Sequence, residues 1–197
     1  KVSPSTKVLL GGQIATADPE FAMGSVKPDY LIMGEAEHIM TDFLDALEND
    51  RDLKSVNGII YNEGDQLIKT SDAIAPTDLD SLPYPDYEGF EFDYKLDNFP
   101  LIDQTAIHPE NTRQIGIIAS RGCPAKCTFC YLIAGDNVRV RSTESVVSEI
   151  IYLKERYKSN DIVILDDLFA TNKKRVLEFS EKVKPLNIGW QCQLRVN

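Results

Sequence analysis

Three observations predict an α/β fold with parallel sheets. Short apolar strands alternate with amphipathic helices near both ends of the chain. The strands are near-continuous apolar runs, as in sheets buried on both faces, rather than alternating ones. Glycine or a helix-capping residue follows most of them within a few positions. In order, Lys7-Val8-Leu9-Leu10 runs into Gly11-Gly12 and reads as a buried strand ending in a tight turn. Asp18-Pro19-Glu20 reads as a helix start, with Asp18 as N-cap and Pro19 at the first helical position. Tyr30-Leu31-Ile32-Met33, closed by Gly34, is a second such strand. The helix expected over residues 35–49 places Ala36, Met40, Phe43 and Leu47 on one face. Residues 1–50 thus read β-α-β-α.

Residues 51–112 change character. Gly58-Ile59-Ile60-Tyr61 and Gln66-Leu67-Ile68-Lys69 flank Asn62-Glu63-Gly64-Asp65 and read as a hairpin. From Ala75 to Pro109, five prolines (76, 83, 85, 100 and 109) argue against long regular elements. Tyr84, Tyr87, Phe90, Phe92 and Tyr94 argue against a loose linker, so this stretch is expected to lie extended over a neighbouring domain. The βα rhythm then returns. Ile115-Gly116-Ile117-Ile118-Ala119 is a strand, and Ser142 caps a helix with Val146, Ile150, Leu153 and Tyr157 inward. Ile162-Val163-Ile164-Leu165 is the next strand and ends at Asp166-Asp167. Asn172 caps a helix bearing Val176, Phe179 and Val183, stopped by Pro185, and residues 188–194 form a third strand.

Composition narrows the function. The 197 residues are 43% hydrophobic and carry 31 acidic against 21 basic side chains, a net charge of −10. A duplex-binding surface is normally basic, so a bulk nucleic-acid role is disfavoured. No apolar run approaches the ~20 residues that span a bilayer. No basic amino-terminal region leads into an apolar stretch, so a secretory signal is not seen and a reducing cytoplasm is the expected compartment. Of the four cysteines, three fall within eight residues, at 123, 127 and 130, while Cys192 stands apart. That spacing suits one metal centre better than a disulfide framework. Cys192, inside a strand, reads as a small buried hydrophobe. His38 and His108 have no partner at zinc-pair spacing.

The decisive string is Ser120-Arg121-Gly122-Cys123-Pro124-Ala125-Lys126-Cys127-Thr128-Phe129-Cys130, directly after an apolar strand. Three thiolates on one short loop can hold three irons of a [4Fe–4S] cube and leave the fourth iron open to an outside ligand. A zinc site would want a fourth nitrogen or sulfur ligand, and none is near in sequence. A C-x₃-C-x₂-C motif with an aromatic before its last cysteine, at the exit of a first barrel strand, resembles the radical S-adenosylmethionine (SAM) superfamily. The runs at 141–150, Leu165-Asp166-Asp167-Leu168-Phe169 and Cys192-Gln193-Leu194-Arg195 resemble the subgroup that carries a cobalamin (B12)-binding domain in front. So do Gly11-Gly12, Gly34-Glu35-Ala36-Glu37 and the connector-like stretch 78–87.

The resemblance implies an α/β arrangement in three parts. Residues 1–52 would be the carboxyl-terminal half of a Rossmann-like B12-binding domain, and 53–112 a hairpin and Pro/aromatic-rich connector. Residues 113–197 would be the first βα units of a partial (β/α)₆ TIM-type barrel. It implies Cys123, Cys127 and Cys130 as cluster ligands and SAM on the open iron, reductively cleaved to a 5′-deoxyadenosyl radical. Phe129 and Tyr131 would lie near the adenine, Asp166 or Asp167 would meet the SAM amino group or ribose, and Arg195 its carboxylate. Gly11 and Gly12 would approach the cobalamin nucleotide tail. The same residues also have plain readings: Asp166-Asp167 as a helix-entry pair, Arg195 as a surface cation, Gly11-Gly12 as a tight turn. The family's cobalt-ligating Asp-x-His-x-x-Gly string is absent from this sequence. With Lys1 in place of Met and only three barrel strands, the expectation is an internal fragment, inactive by itself. The implied activities are methyl transfer or the ring formation of anaerobic magnesium-protoporphyrin IX monomethyl ester cyclases. A small-molecule substrate and an electron donor such as flavodoxin or ferredoxin would be the partners. A non-catalytic zinc- or Fe–S-binding module built on the same cysteines is the alternative.

Overall fold

The computed structural model describes residues 5–98, 112–131 and 134–195. Two compact units divide after Thr77, and Tyr131 and Ala134 group with the first. Strand β1 (Leu9–Leu10) is followed by α1 (Gln13–Ala17), α2 (Pro19–Ser25), β2 (Tyr30–Ile32) and α3 (Ala36–Glu48). The Asp18 carboxylate accepts the Phe21 N–H at 3.0 Å and Pro19 occupies the first turn, so α2 starts where its cap dictates. β1 and β2 pair in parallel, Leu9 opposite Tyr30. The hairpin β3 (Ile59–Glu63) and β4 (Gln66–Lys69) then extends the same sheet antiparallel to β2, in the order β1-β2-β3-β4. Glu63 faces Gln66, so the turn is the pair Gly64-Asp65, tighter than the four residues read from sequence. Gly64 meets that geometry with φ +61°.

Two further details of this unit differ from the sequence reading. α1 was not foreseen; it is five residues long with no side-chain cap. On α3 the buried line is Ile39, Phe43 and Ala46, while Leu47 is 40% exposed, so the apolar face is rotated by about one residue. Phe43 packs edge-on to Tyr30, ring centroids 4.9 Å apart, which fastens the helix to β2.

The second unit carries α4 (Phe92–Asn98), β5 (Gln114–Ile117), β6 (Ser120–Arg121), β7 (Arg139–Val140), α5 (Thr143–Tyr157), β8 (Asp161–Ile164), α6 (Lys173–Val183) and β9 (Gly189–Cys192). β5, β8 and β9 form a parallel sheet in that order, with Ile115 opposite Ile162 and Ile162 opposite Trp190. Each crossover helix is capped as its sequence announces. Ser142 Oγ accepts Ser145 N–H at 3.1 Å, and Asn172 Oδ1 accepts Arg175 N–H at 3.3 Å. Val146, Ile150, Leu153 and Tyr157 of α5 and Phe179 and Val183 of α6 are buried against Ile115, Ile117, Ile162 and Ile164. That is one continuous apolar layer between helices and sheet.

The Pro/aromatic segment beginning at Asp78 packs on this unit. The Asp80 carboxylate accepts the Ser142 N–H at 3.0 and 3.1 Å, and the Tyr84 hydroxyl donates to the Ser145 carbonyl. Tyr87, 4% exposed, donates 2.7 Å to Glu149 Oε1, while Arg141 pairs with the other oxygen and also donates to the Ile118 carbonyl at 2.8 Å. Glu149 is 1% exposed, a position a carboxylate holds only when paired and hydrogen-bonded. The short helix α4 interrupts the extended course read from sequence; His108, Pro100 and Pro109 lie outside the described residues. No helix among the described residues is long and apolar enough to cross a membrane. Replacing Tyr87 by Phe removes one of the two partners of this buried carboxylate. It should lower unfolding free energy by about 1.5–3 kcal/mol in urea titrations. A change under about 0.5 kcal/mol would show that Tyr87 does not hold the strap.

Candidate cluster and cofactor site

At the carboxyl end of β5 the chain leaves the sheet through Ala119 and enters β6. Ser120 and Arg121 pair antiparallel with Val140 and Arg139 of β7, so the intervening loop is closed at its neck by two strands. Gly122 is the first residue beyond the neck. Its φ is +87°, and a Cβ there would lie 2.6 Å from the Asn137 carbonyl oxygen and 3.1 Å from that of Gly135. Only glycine fits this turn. The next amide, Cys123 N–H, donates to the Gly135 carbonyl at 3.1 Å, and Cys130 N–H donates to the Cys127 carbonyl at 3.1 Å.

The three cysteines therefore share one loop but not one environment. Cys123 is buried at the neck, Cys127 is half-buried and Cys130 is exposed; none is in a disulfide. Among the described residues, no three His, Cys, Asp or Glu side chains are gathered closely enough to hold a metal ion. The thiols are near in sequence and are not converged. Phe129, 91% exposed, and Tyr131, 55% exposed, stand in solvent. The donor set still fits an iron–sulfur cluster. Three free soft ligands lie on an irregular loop anchored at both ends, and such sites close when the metal binds.

Asp166 is 1% exposed, and its carboxylate is turned toward the exit of β5. Oδ1 accepts Ala119 N–H at 2.7 Å and Ser120 N–H at 2.8 Å; Oδ2 accepts the Ser120 hydroxyl at 2.6 Å. Desolvation raises its pKa, against the pull of these donors and of the nearby Arg175 charge. Arg175, at the start of α6, donates 2.9 Å to the Ala119 carbonyl and lies 4.9 Å from the Phe169 ring. Burial lowers its pKa, with Asp166 opposing. Sequence reasoning missed Arg175 and Ser120 because they sit 56 and 46 residues from their partners.

The remaining candidates are laid out more openly. Asp167 follows β8 and Arg195 lies three residues beyond β9; both are exposed, at the carboxyl ends of parallel neighbours. Cys192 ends β9 half-buried rather than buried. Burial, with the Asp166 charge adding to it, pushes its thiol pKa up. His38 is exposed on α3. In the first unit Gly11, Gly12 and Gly34 follow the parallel strands β1 and β2, and a Cβ on any of them would meet nothing within 4 Å. Gly12 (φ +87°) and Gly34 (φ +81°) need glycine for their backbone conformation alone.

No protein-family description matches the chain. Individual relatives do. Over its whole length the chain is 32% identical to an uncharacterized methyltransferase of Pyrococcus horikoshii, of which it covers 41%. It is 28% identical, again over its whole length, to the anaerobic magnesium-protoporphyrin IX monomethyl ester cyclase of Rubrivivax gelatinosus, covering 35% of it. The cytidylyl-2-hydroxyethylphosphonate methyltransferase of Streptomyces wedmorensis is 23% identical over 96% of the chain. Among solved structures, the cobalamin-dependent SAM radical enzyme OxsB, with aqua-cobalamin and SAM bound, superposes with a TM-score of 0.64. There the identity is 18%, over 93% of this chain and 25% of that one. The radical SAM methyltransferase TsrM of Kitasatospora setae, with cobalamin and a [4Fe–4S] cluster bound, gives 0.64 at 17% identity, over 92% of this chain and 34% of that one. The chain shares its fold with part of each of these two enzymes. Its relatives are methyltransferases and ring-forming cyclases, as the cysteine motif and its flanking runs suggest. The chain spans about two fifths or less of the length of these curated relatives.

Gly122 and Gly135 offer an internal control. Both have positive φ, but only Gly122 is pressed against backbone. Gly122→Ala should cost about 2–4 kcal/mol and Gly135→Ala about 1 kcal/mol, read as shifts in chemical denaturation. Equal costs would show that the neck does not crowd Gly122.

Proposed function

We propose that the chain is the cluster-bearing part of a radical SAM enzyme, joined to the closing part of a cobalamin-binding domain. The complete protein then serves methyl transfer or oxidative ring formation on a small molecule. The observation that carries this reading is the C-x₃-C-x₂-C loop at the exit of β5, in a fold shared with cobalamin-dependent radical SAM enzymes. In this reading Cys123, Cys127 and Cys130 bind three irons as thiolates, each giving up its proton on binding. A cluster so held supplies a fourth iron at which SAM is bound and reductively cleaved.

The chain's own residues prepare that site. Gly122 lets the backbone turn sharply enough to place Cys123 at the neck, and the β6–β7 ladder fixes the neck itself. Phe129 offers a ring face and Tyr131 its backbone to an adenine, and Asp167 and Arg195 offer an acceptor and a cation for the polar end of SAM. Barrel enzymes build their sites at the carboxyl ends of parallel strands, which is where these two residues lie. Asp166 has no such role in this proposal, since both its oxygens are engaged. Gly11, Gly12 and Gly34 leave the ends of β1 and β2 bare of side chains, which suits the close approach of a cobalamin tail. The electron is assigned to a flavodoxin- or ferredoxin-type donor.

Anaerobic reconstitution with iron and sulfide tests the reading. The expected result is about four irons per chain and an electron resonance signal that changes when SAM is added. Cys127→Ala should lose most of that iron. Stoichiometric zinc in place of a cluster would favour the non-catalytic module, and a Cys127→Ala protein that still assembles a SAM-responsive cluster would overturn the ligand set.

A further inference from the structure

The fully buried Ala119 lies in the short link between β5 and β6, just before the cysteine loop, and both of its backbone polar groups are gripped from other elements. Its N–H is taken by Asp166, which follows β8, and its carbonyl by Arg175 of α6 and by the Arg141 amide at 2.9 Å. Asp166 also takes the N–H and the hydroxyl of Ser120, the residue that opens the neck. A helix-entry aspartate has no need of that arrangement, since its usual donors lie two or three residues onward. We propose that Asp166, with Ser120 and Arg175, is a positioning device that sets where the cysteine loop leaves the sheet and thereby holds Cys123 at the neck. Asp166 and Arg175 act through Ala119 and Ser120 and touch no ligand.

The geometry explains the unequal thiols. Cys123 is three residues from Ser120, with the rigid Gly122 turn between them, so its burial depends on the direction in which Ser120 points. Cys127 and Cys130 lie farther along the loop and gain little from the clamp. The proposal rests on the cluster reading for its purpose, but not for its test, because thiol exposure can be measured without metal.

In the metal-free full-length protein, pulse alkylation followed by peptide mass analysis gives the rate at each cysteine. Cys123 should react at least about tenfold more slowly than Cys130. Asp166→Ala should bring that ratio near one, Asp166→Asn should fall between, and Ser120→Ala and Arg175→Gln should each raise the Cys123 rate about threefold or more. Amide exchange at Ile115, Ile117 and Ile162 in the same samples should stay within about twofold of wild type. Reconstituted Asp166→Ala should also take up less iron than wild type. Unchanged Cys123 protection in a folded Asp166→Ala protein overturns the proposal. If that variant does not fold, unchanged protection in both Ser120→Ala and Arg175→Gln overturns it equally. Exchange that speeds alike at the neck and along β5 marks general loosening and overturns it as well. Failure of the wild type to take up iron defeats the cluster reading alone, since the alkylation ratios still decide the clamp.

Discussion

A carboxylate buried to 1% exposure is tolerable only if the protein returns the hydrogen bonds that water gave it. Asp166 recovers three, all from the two residues at which the chain leaves the parallel sheet. The requirement runs both ways. Ala119 lies between β5 and β6 and Ser120 opens β6, both buried, and leaving their amides bare in the interior would be costly. The acid needs donors and the strand end needs acceptors. Their meeting ties the exit of β5 to the end of β8, the neighbour it already pairs with. The parallel register of those strands follows from the same apolar layer that buries α5, so the neck inherits the rigidity of the core.

A second buried carboxylate, Glu149 on α5, does comparable work. Glu149 joins Tyr87, from the segment before β5, to Arg141, from the segment after β7. Arg141 reaches on to the Ile118 carbonyl, one residue before Ala119. The two acids thus reach the same stretch of backbone, Asp166 directly and Glu149 through Arg141. Each is half of an arrangement whose loss would strand a charge in the interior, the situation in which breaking a pair is far more harmful than never having had one.

What was legible in the sequence is what is decided locally. Asp18, Ser142 and Asn172 announce their helices because a cap and the amides it accepts lie within three residues. β5 and β8 are readable because buried parallel strands need no alternation. The cysteine loop stands out in the sequence because its three thiols sit on one short stretch. Reading failed where distant partners decide. α1 has neither a cap nor an apolar stripe of its own, and the rotation of α3 is set by the rings of Tyr30 and Tyr61 beneath it. The sequence shows Asp166-Asp167 only as a pair of acids at a strand end. That one turns inward and the other outward is settled by donors 46 and 47 residues earlier, which no local pattern reports.

The loop itself divides rigidity from adaptability. Its neck is fixed by a strand pair, a glycine that nothing else could replace and a clamped peptide; its far thiols are exposed and not gathered. A site fully converged without its metal would crowd three sulfurs that become mutually repelling anions on ionisation, with no cation to offset them. A loop with no fixed point would have to order all its residues on binding, at about 1–2 kcal/mol of backbone entropy for each. Fixing one thiol and leaving two free avoids the repulsion and limits the ordering to the residues beyond Cys123. On this argument the buried first cysteine is the seed on which the remaining ligands assemble, and the strength of the whole site follows from how firmly one backbone turn is held.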